Sequence, residues 1–160
     1  SAALGKFFGT FNNIMNVAGY GRNELTSVHL VSTYCLSSLL YSCEIWSLLP
    51  HELQPLSVAW NNSFRKIFNC CWRENPGLLF YYCHRLPVSY LIDQRRLLFW
   101  KQLIHSGNCL LQCLAVKCLH TMVALADKYG ITEHLLSISC SLLKAKIWSA
   151  FQNSLSSFLR

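Results

Sequence analysis

Apolar residues recur along this chain at the spacing of one face of an α-helix. In the first segment they fall at Leu4, Phe7, Phe8, Phe11, Ile14 and Met15, after which Gly19 and Gly21 break the stripe. From Glu24 to Leu48 the period continues through Leu25, Val28, Val31, Cys35, Leu36, Leu39, Leu40 and Cys43 until Pro50 stops it, which predicts the longest helix of the chain. A third helix is predicted after Pro50 and Pro55, running to about Asn69. It points Leu56, Trp60, Phe64, Ile67 and Phe68 inward and Asn61, Asn62, Arg65 and Lys66 elsewhere. Asn75-Pro76-Gly77 signals a turn, and 78–86 reads as a short irregular or helical connector.

Pro87 suits the first turn of a fourth helix from Val88 to about His105, because a missing N–H costs nothing there. In it Tyr90, Leu91, Leu97, Leu98 and Ile104 are expected to pack while Arg95, Arg96 and Lys101 project. Ser106-Gly107-Asn108 closes it. The remainder, Cys109 to Arg160, reads as two more amphipathic helices split near Tyr129-Gly130, with a Ser-rich end (SISCSLL, NSLSSFLR) that is either a packed helix or a frayed tail. No internal repeat and no strand-like alternation appears. The expected fold is all-α, a helical bundle of about five or six helices.

The 19 uncharged residues between Glu24 and Glu44 are long enough to raise a membrane span, but eight of them are Ser, Thr or His, which favours a buried helix and no membrane partner. A chain of 160 residues makes one domain or slightly more and buries about 70% of its unfolded surface. With 52% hydrophobic and only 13% charged residues it carries less charge than the ~25% of an ordinary soluble domain, and its mean hydropathy is +0.27. Some apolar surface is therefore expected to be covered by something else.

Nine cysteines without a signal-peptide pattern point to a reducing, intracellular compartment, nucleus or cytoplasm, and not to secretion. The best metal-like cluster is Cys109-x3-Cys113-x4-Cys118-x-His120. It lacks a CxxC start, and Cys109, Cys113 and His120 on one face of a single helix cannot surround a metal tetrahedrally. Small core residues are the expected use of these cysteines, Cys70, Cys71 and Cys83 included.

Three phrases stand in order in the middle of the chain: YSCEIW at 41–46, WNNSFRKIF at 60–68 and LPVSYLIDQRRLLFW at 86–100. Together with KFFGTFNNIMNVAG at 6–19 and HLVSTYCLSSLLYSCEIW at 29–46, they resemble the region after the polymerase palm in LINE-type, non-LTR retrotransposon reverse transcriptases, the part that forms the helical thumb. The family's pattern often has Pro and Gly in the stretch where this chain has Ser37 and Ser42. The resemblance covers roughly the first 60% of the chain, from Phe7 to Lys101. It implies a thumb-like region at 1–106, a C-terminal helical extension of unknown role at 107–160, and a catalytic palm upstream of Ser1, which the absence of an initiator Met also suits.

The residues agree that no polymerase chemistry resides here. Nucleotidyl transfer needs two divalent ions held by clustered carboxylates, whereas the seven acids (Glu24, Glu44, Glu52, Glu74, Asp93, Asp127, Glu133) never fall within five residues of one another. No cofactor and no catalytic residue is expected in this chain; Mg²⁺ would belong to the upstream palm of the parent RNA-directed DNA polymerase. Charge points to the partner. Of the net +7, residues 61–101 carry Arg65, Lys66, Arg73, Arg85, Arg95, Arg96 and Lys101 against Glu74 and Asp93, a local +5. Such a field attracts a phosphate backbone. These seven cations, with Asn61 and Asn62, are the candidate nucleic-acid-binding residues, and Trp60, Phe64, Trp72, Tyr81, Tyr82 and Trp100 are aromatics with the chemistry to stack on bases. The expected partner is an RNA–DNA or DNA primer–template duplex; the alternative is a non-catalytic helical module whose apolar face binds a helical protein partner.

Overall fold

The computed structural model describes residues 2–19, 22–41, 43–45, 48–131 and 135–158, and every regular element among them is helical. The fold is all-α. In chain order the helices are α1 (Ala2–Ala18), α2 (Glu24–Tyr34), α3 (Leu36–Leu39), α4 (Pro50–Ile67), α5 (Gly77–Tyr82), α6 (Val88–Ile104), α7 (Cys109–Lys117), α8 (Leu119–Asp127) and α9 (Cys140–Phe158). They are more numerous than expected because two predicted helices are broken and the 78–86 connector holds a short helix, α5. Cys118 separates α7 from α8, with a 56° bend between them. The predicted Glu24–Leu48 helix stops for one residue at Cys35 and ends at Leu39. Two hydroxyls bond backbone carbonyls beside the break: Thr33 Oγ1 donates to His29 O (2.8 Å) and Ser37 Oγ to Tyr34 O (3.3 Å). The longest helices are instead α9 and α4. Among the described residues no single helix is long and apolar enough to cross a membrane.

The ends of several helices are fixed by identifiable caps. Asn23 Oδ1 accepts from Thr26 N at the start of α2. Helix α4 begins at Pro50 itself, not after Pro55, because Glu52 reaches back to accept from Leu49 N (2.9 Å) and Pro50 needs no donor at the first position. Asn69, His84 and Gly130 adopt positive φ (52°, 50° and 61°) and turn the chain out of α4, α5 and α8. Each is followed by the long-range bond of a Schellman cap: Cys70 N to Arg65 O, Arg85 N to Phe80 O, and Ile131 N to Ala126 O.

The chain forms two compact units, Ser1–Ser89 and Tyr90–Arg160, so the contacts divide earlier than the expected 106/107 boundary. In the first unit α1 packs on α2, α3 and α4, presenting Phe7, Phe11 and Met15 one turn apart. Trp60, Phe64 and Phe80 close the core between α4 and α5: Phe64 and Phe80 meet edge-on at 4.5 Å, and Trp60 stacks on Phe80 at 6.3 Å. In the second unit α6 supplies Ile92, Leu97 and Trp100, and α9 supplies the i, i+4 stripe Leu143, Ile147, Phe151 and Leu155. The boundary lies at 89/90 because α6 is tied to later residues: Tyr90 packs edge-on against Phe151 at 5.6 Å and Trp100 Nε1 donates to Ala115 O at 2.8 Å.

Candidate nucleic-acid interface

The candidate cations are not alike in what holds them. On α4, Arg65 spends its fork on the chain. Its Nε and Nη2 donate to Glu74 O (3.1 and 3.0 Å) and Nη1 donates to Asn62 Oδ1 (2.9 Å), so it clamps the loop between α4 and α5. Asn62 is thereby its orienting partner, and Asn61 is half-buried beside it in sequence. Lys66 is exposed, its Nζ 5.9 Å from the Phe11 ring centre. Arg73 is exposed and lies over the Trp72 ring at 5.0 Å. Arg85 is half-buried and its Nε has no hydrogen-bond partner among the described residues.

The α6 cations belong to the second unit and do not project as expected. Arg95 and Arg96 are half-buried, and Arg96 Nε, like that of Arg85, is buried without a partner among the described residues. Lys101 donates to Leu136 O at 3.3 Å and also to Ile138 O, so its ammonium holds its own backbone. Direct phosphate contact is therefore open to Lys66 and Arg73 without rearrangement, while Arg65 and Lys101 contribute field more than free donors.

The aromatics divide too. Trp60, Phe64 and Trp100 are buried and unavailable for stacking, whereas Trp72 (73% exposed), Tyr82 (75%) and Tyr81 (37%) face solvent. Trp60 Nε1 donates to Leu86 O at 3.1 Å, which joins the first residue of the WNNSFRKIF phrase to the first of LPVSYLIDQRRLLFW. Packing accounts for those two positions. In the first phrase Cys43 is buried and Ile45 exposed, while Ser42 and Trp46 lie outside the described residues.

Cysteine chemistry is muted. Cys35 and Cys43 are buried as expected, but Cys71, Cys109, Cys113, Cys118 and Cys140 are exposed, which corrects the assignment of the cysteines to the core. The exposure follows from the α7 face: Leu110, Leu114 and Val116 are exposed beside Cys109 and Cys113. No cysteine among the described residues is in a disulfide, and no group of three or more His, Cys, Asp or Glu there is arranged to hold a metal ion. Burial holds the Cys70 thiol above its ordinary range, reinforced by its hydrogen bond to Glu74, and burial raises Cys83 as well, partly offset by Arg85.

In the sequence Asp93 offsets the basic segment; in the fold it organises contacts of the second unit. Its Oδ2 accepts from Tyr129 Oη (2.5 Å) and Lys128 Nζ (2.7 Å), with its side chain only 15% exposed. Lys128 Nζ also sits 5.3 Å from the Tyr129 ring centre. Burial first, then the hydrogen bond to the Asp93 carboxylate, raises the Tyr129 phenol well above its usual value. Burial likewise pushes the Cys35 thiol up to about 11 from 9.0. Both groups bind their protons more tightly folded than unfolded. Their stabilisation is complete below the unfolded values and is lost as pH rises through the folded ones. Unfolding free energy is expected to hold steady to pH ~9 and then fall, by up to about 1.4 kcal/mol per pH unit for each group. Urea midpoints at pH 8 to 11 check this, and Tyr129→Phe should flatten the upper part of the fall. A midpoint unchanged to pH 11 contradicts it.

Compared with known proteins, the chain matches no family model, no curated protein and no solved structure. What fold and surface together define is a class: an all-α chain in two compact units, with Trp72 and Arg73 exposed between α4 and α5.

Proposed function

We propose that this chain is the thumb and following helical region of a LINE-type RNA-directed DNA polymerase, gripping the backbone of an RNA–DNA or DNA primer–template so that an upstream palm extends the primer. The observation that carries the reading is the positive charge of residues 61–101 in the sequence, of which the first unit holds Arg65, Lys66, Arg73 and Arg85 against Glu74, with Lys66 and Arg73 exposed. The order of the three phrases selects a thumb over other basic helical domains. Catalysis and Mg²⁺ belong to the palm; this chain supplies shape and charge, and the parent enzyme works inside the cell. Recognition is by backbone spacing and 2′-OH groups and not by sequence.

Anisotropy of a labelled RNA–DNA primer–template across a salt series tests this. Each phosphate contact adds roughly −0.9 to the slope of log K against log salt for a duplex. Lys66→Ala/Arg73→Ala is therefore expected to make the slope shallower by about 1–2 while leaving the melting temperature in place, since both side chains are exposed. Absence of low-salt binding by the folded chain removes the reading. It would favour the second one, a helical protein-interaction module, for which the exposed apolar run Leu110, Leu114, Val116 and Leu119 along α7 and α8 speaks.

A further inference from the structure

We propose that the Trp72–Arg73 turn is a stacking platform for an unpaired nucleobase, so that the first unit takes single-stranded nucleic acid in addition to a duplex backbone; this rests on the nucleic-acid reading above. The turn is built to hold an indole out. The Schellman cap at Asn69 reverses the chain after α4. Glu74 N then donates to Cys71 O (3.0 Å) while Glu74 Oε1 accepts from Cys71 N (3.4 Å), closing a tight loop with Trp72 and Arg73 at its tip. The Arg65 fork fixes the far side through Glu74 O. Asn75 Oδ1 accepts from Gly77 N at 2.9 Å and leads directly into α5. A tip tied at both ends loses little freedom when a ligand lands on it.

An indole at 73% exposure is an unusual surface for the largest apolar side chain, and its surroundings say what it fits. Its neighbours in the chain, Cys71, Arg73, Glu74 and Asn75, are all exposed and mostly polar, unlike the contiguous apolar patch that a protein hot spot sits within. A nucleobase needs no such patch. It needs one flat π-face and positive charge for its phosphate, and Arg73 lying over the ring supplies the charge at 5.0 Å. Lys66 and Arg65 on α4 and Arg85 after α5 extend the positive field within the same unit. A primer–template has single-stranded template next to its duplex, so a thumb that stacks one unpaired base gains purchase that backbone contacts alone do not provide.

The test compares a labelled single-stranded oligodeoxythymidylate with an abasic strand of equal length, titrated with the full chain at low salt. The phosphates are the same and only the bases differ. The expected result is a preference for the base-bearing strand of about 5- to 150-fold, the worth of stacking one base. Trp72→Ala abolishes the preference while leaving abasic affinity and melting temperature unchanged, and Trp72→Phe retains part of it. A preference that survives Trp72→Ala overturns the proposal. So does equal affinity of the parent chain for both strands while duplex binding keeps its salt slope, which leaves a protein contact as the use of the indole. No binding of either strand or of the duplex overturns the nucleic-acid reading itself, and this with it.

Discussion

Trp60→Ala is expected to lower the unfolding free energy of the first unit by about 3–5 kcal/mol, the range for truncating a buried Trp. The indole is fully buried at the centre of the cluster with Phe64 (5.0 Å) and Phe80 (6.3 Å), and the Phe64–Phe80 pair closes over it at 4.5 Å. Its removal opens a cavity that two rings held on different helices cannot fill without shifting backbone. It also strands Leu86 O, which accepts from Nε1 in the turn before α6 and is buried with it. An orphaned buried acceptor costs about 1–3 kcal/mol. Against a total of roughly 5–15 kcal/mol for a natural domain, a loss of this size leaves the unit marginal. Trp60→Phe keeps most of the ring contact and loses the hydrogen bond, so about 1–3 kcal/mol is expected. Urea denaturation followed by far-UV circular dichroism separates the variants; an Ala variant within about 1.5 kcal/mol of the parent means that the cluster is not closed as described.

That cluster was legible in the sequence, and the reason is periodicity. Leu56, Trp60, Phe64 and Ile67 repeat at helical spacing and all are buried on α4. The same signal placed α1 and gave the all-α class. On α6, whose ends Pro87 and Ser106-Gly107-Asn108 mark, it points Tyr90, Leu91, Leu98 and Ile104 inward with Leu97, but those four are half-buried and the buried positions it misses are Val88, Ile92 and Trp100. It failed where hydrophobicity does not decide. The break at Cys35 falls where the apolar stripe runs across it undisturbed, so periodicity carries no sign of it. The start of α4 at Pro50 turns on one carboxylate, Glu52, reaching back to Leu49 N.

Which of the candidate cations stand exposed was half legible, for a similar reason. Charge counting finds cations but cannot tell one that grips phosphate from one that grips its own chain. Lys66 and Lys101 look alike in sequence as basic residues on amphipathic helices. In the fold the first is exposed, and the second donates to carbonyls 35 and 37 residues later. Arg65 is likewise spent on the carbonyl of Glu74, nine residues on. Trp72 carried a usable signal of its own. It stands past the end of a helical stripe and just before Asn75-Pro76-Gly77, where an aromatic has no helix face to bury.

Trp100 is the counterpart of Trp60 in the second unit, and Trp100→Ala is expected to cost about 3–5 kcal/mol there as well. The mechanism differs in its second part. Nε1 donates to Ala115 O, in the last turn of α7, where helix carbonyls have no partner within the helix. The neighbouring Leu114 O and Val116 O are taken by the Cys118 N–H. The indole thus satisfies a carbonyl just before the chain breaks at Cys118 and bends by 56° into α8. Ala115 itself is fully buried, so water is a poor substitute donor. Trp100→Phe then becomes the informative variant: it preserves most of the apolar volume but leaves Ala115 O unpaired, at about 1–3 kcal/mol. If the bond fixes the break, amide exchange of the α7 C-terminal turn and the first turn of α8 accelerates in Trp100→Phe by more than global destabilisation accounts for, while the α9 amides track the global value. Uniform acceleration across the unit would mean that the indole acts by volume alone and that the bend has another cause.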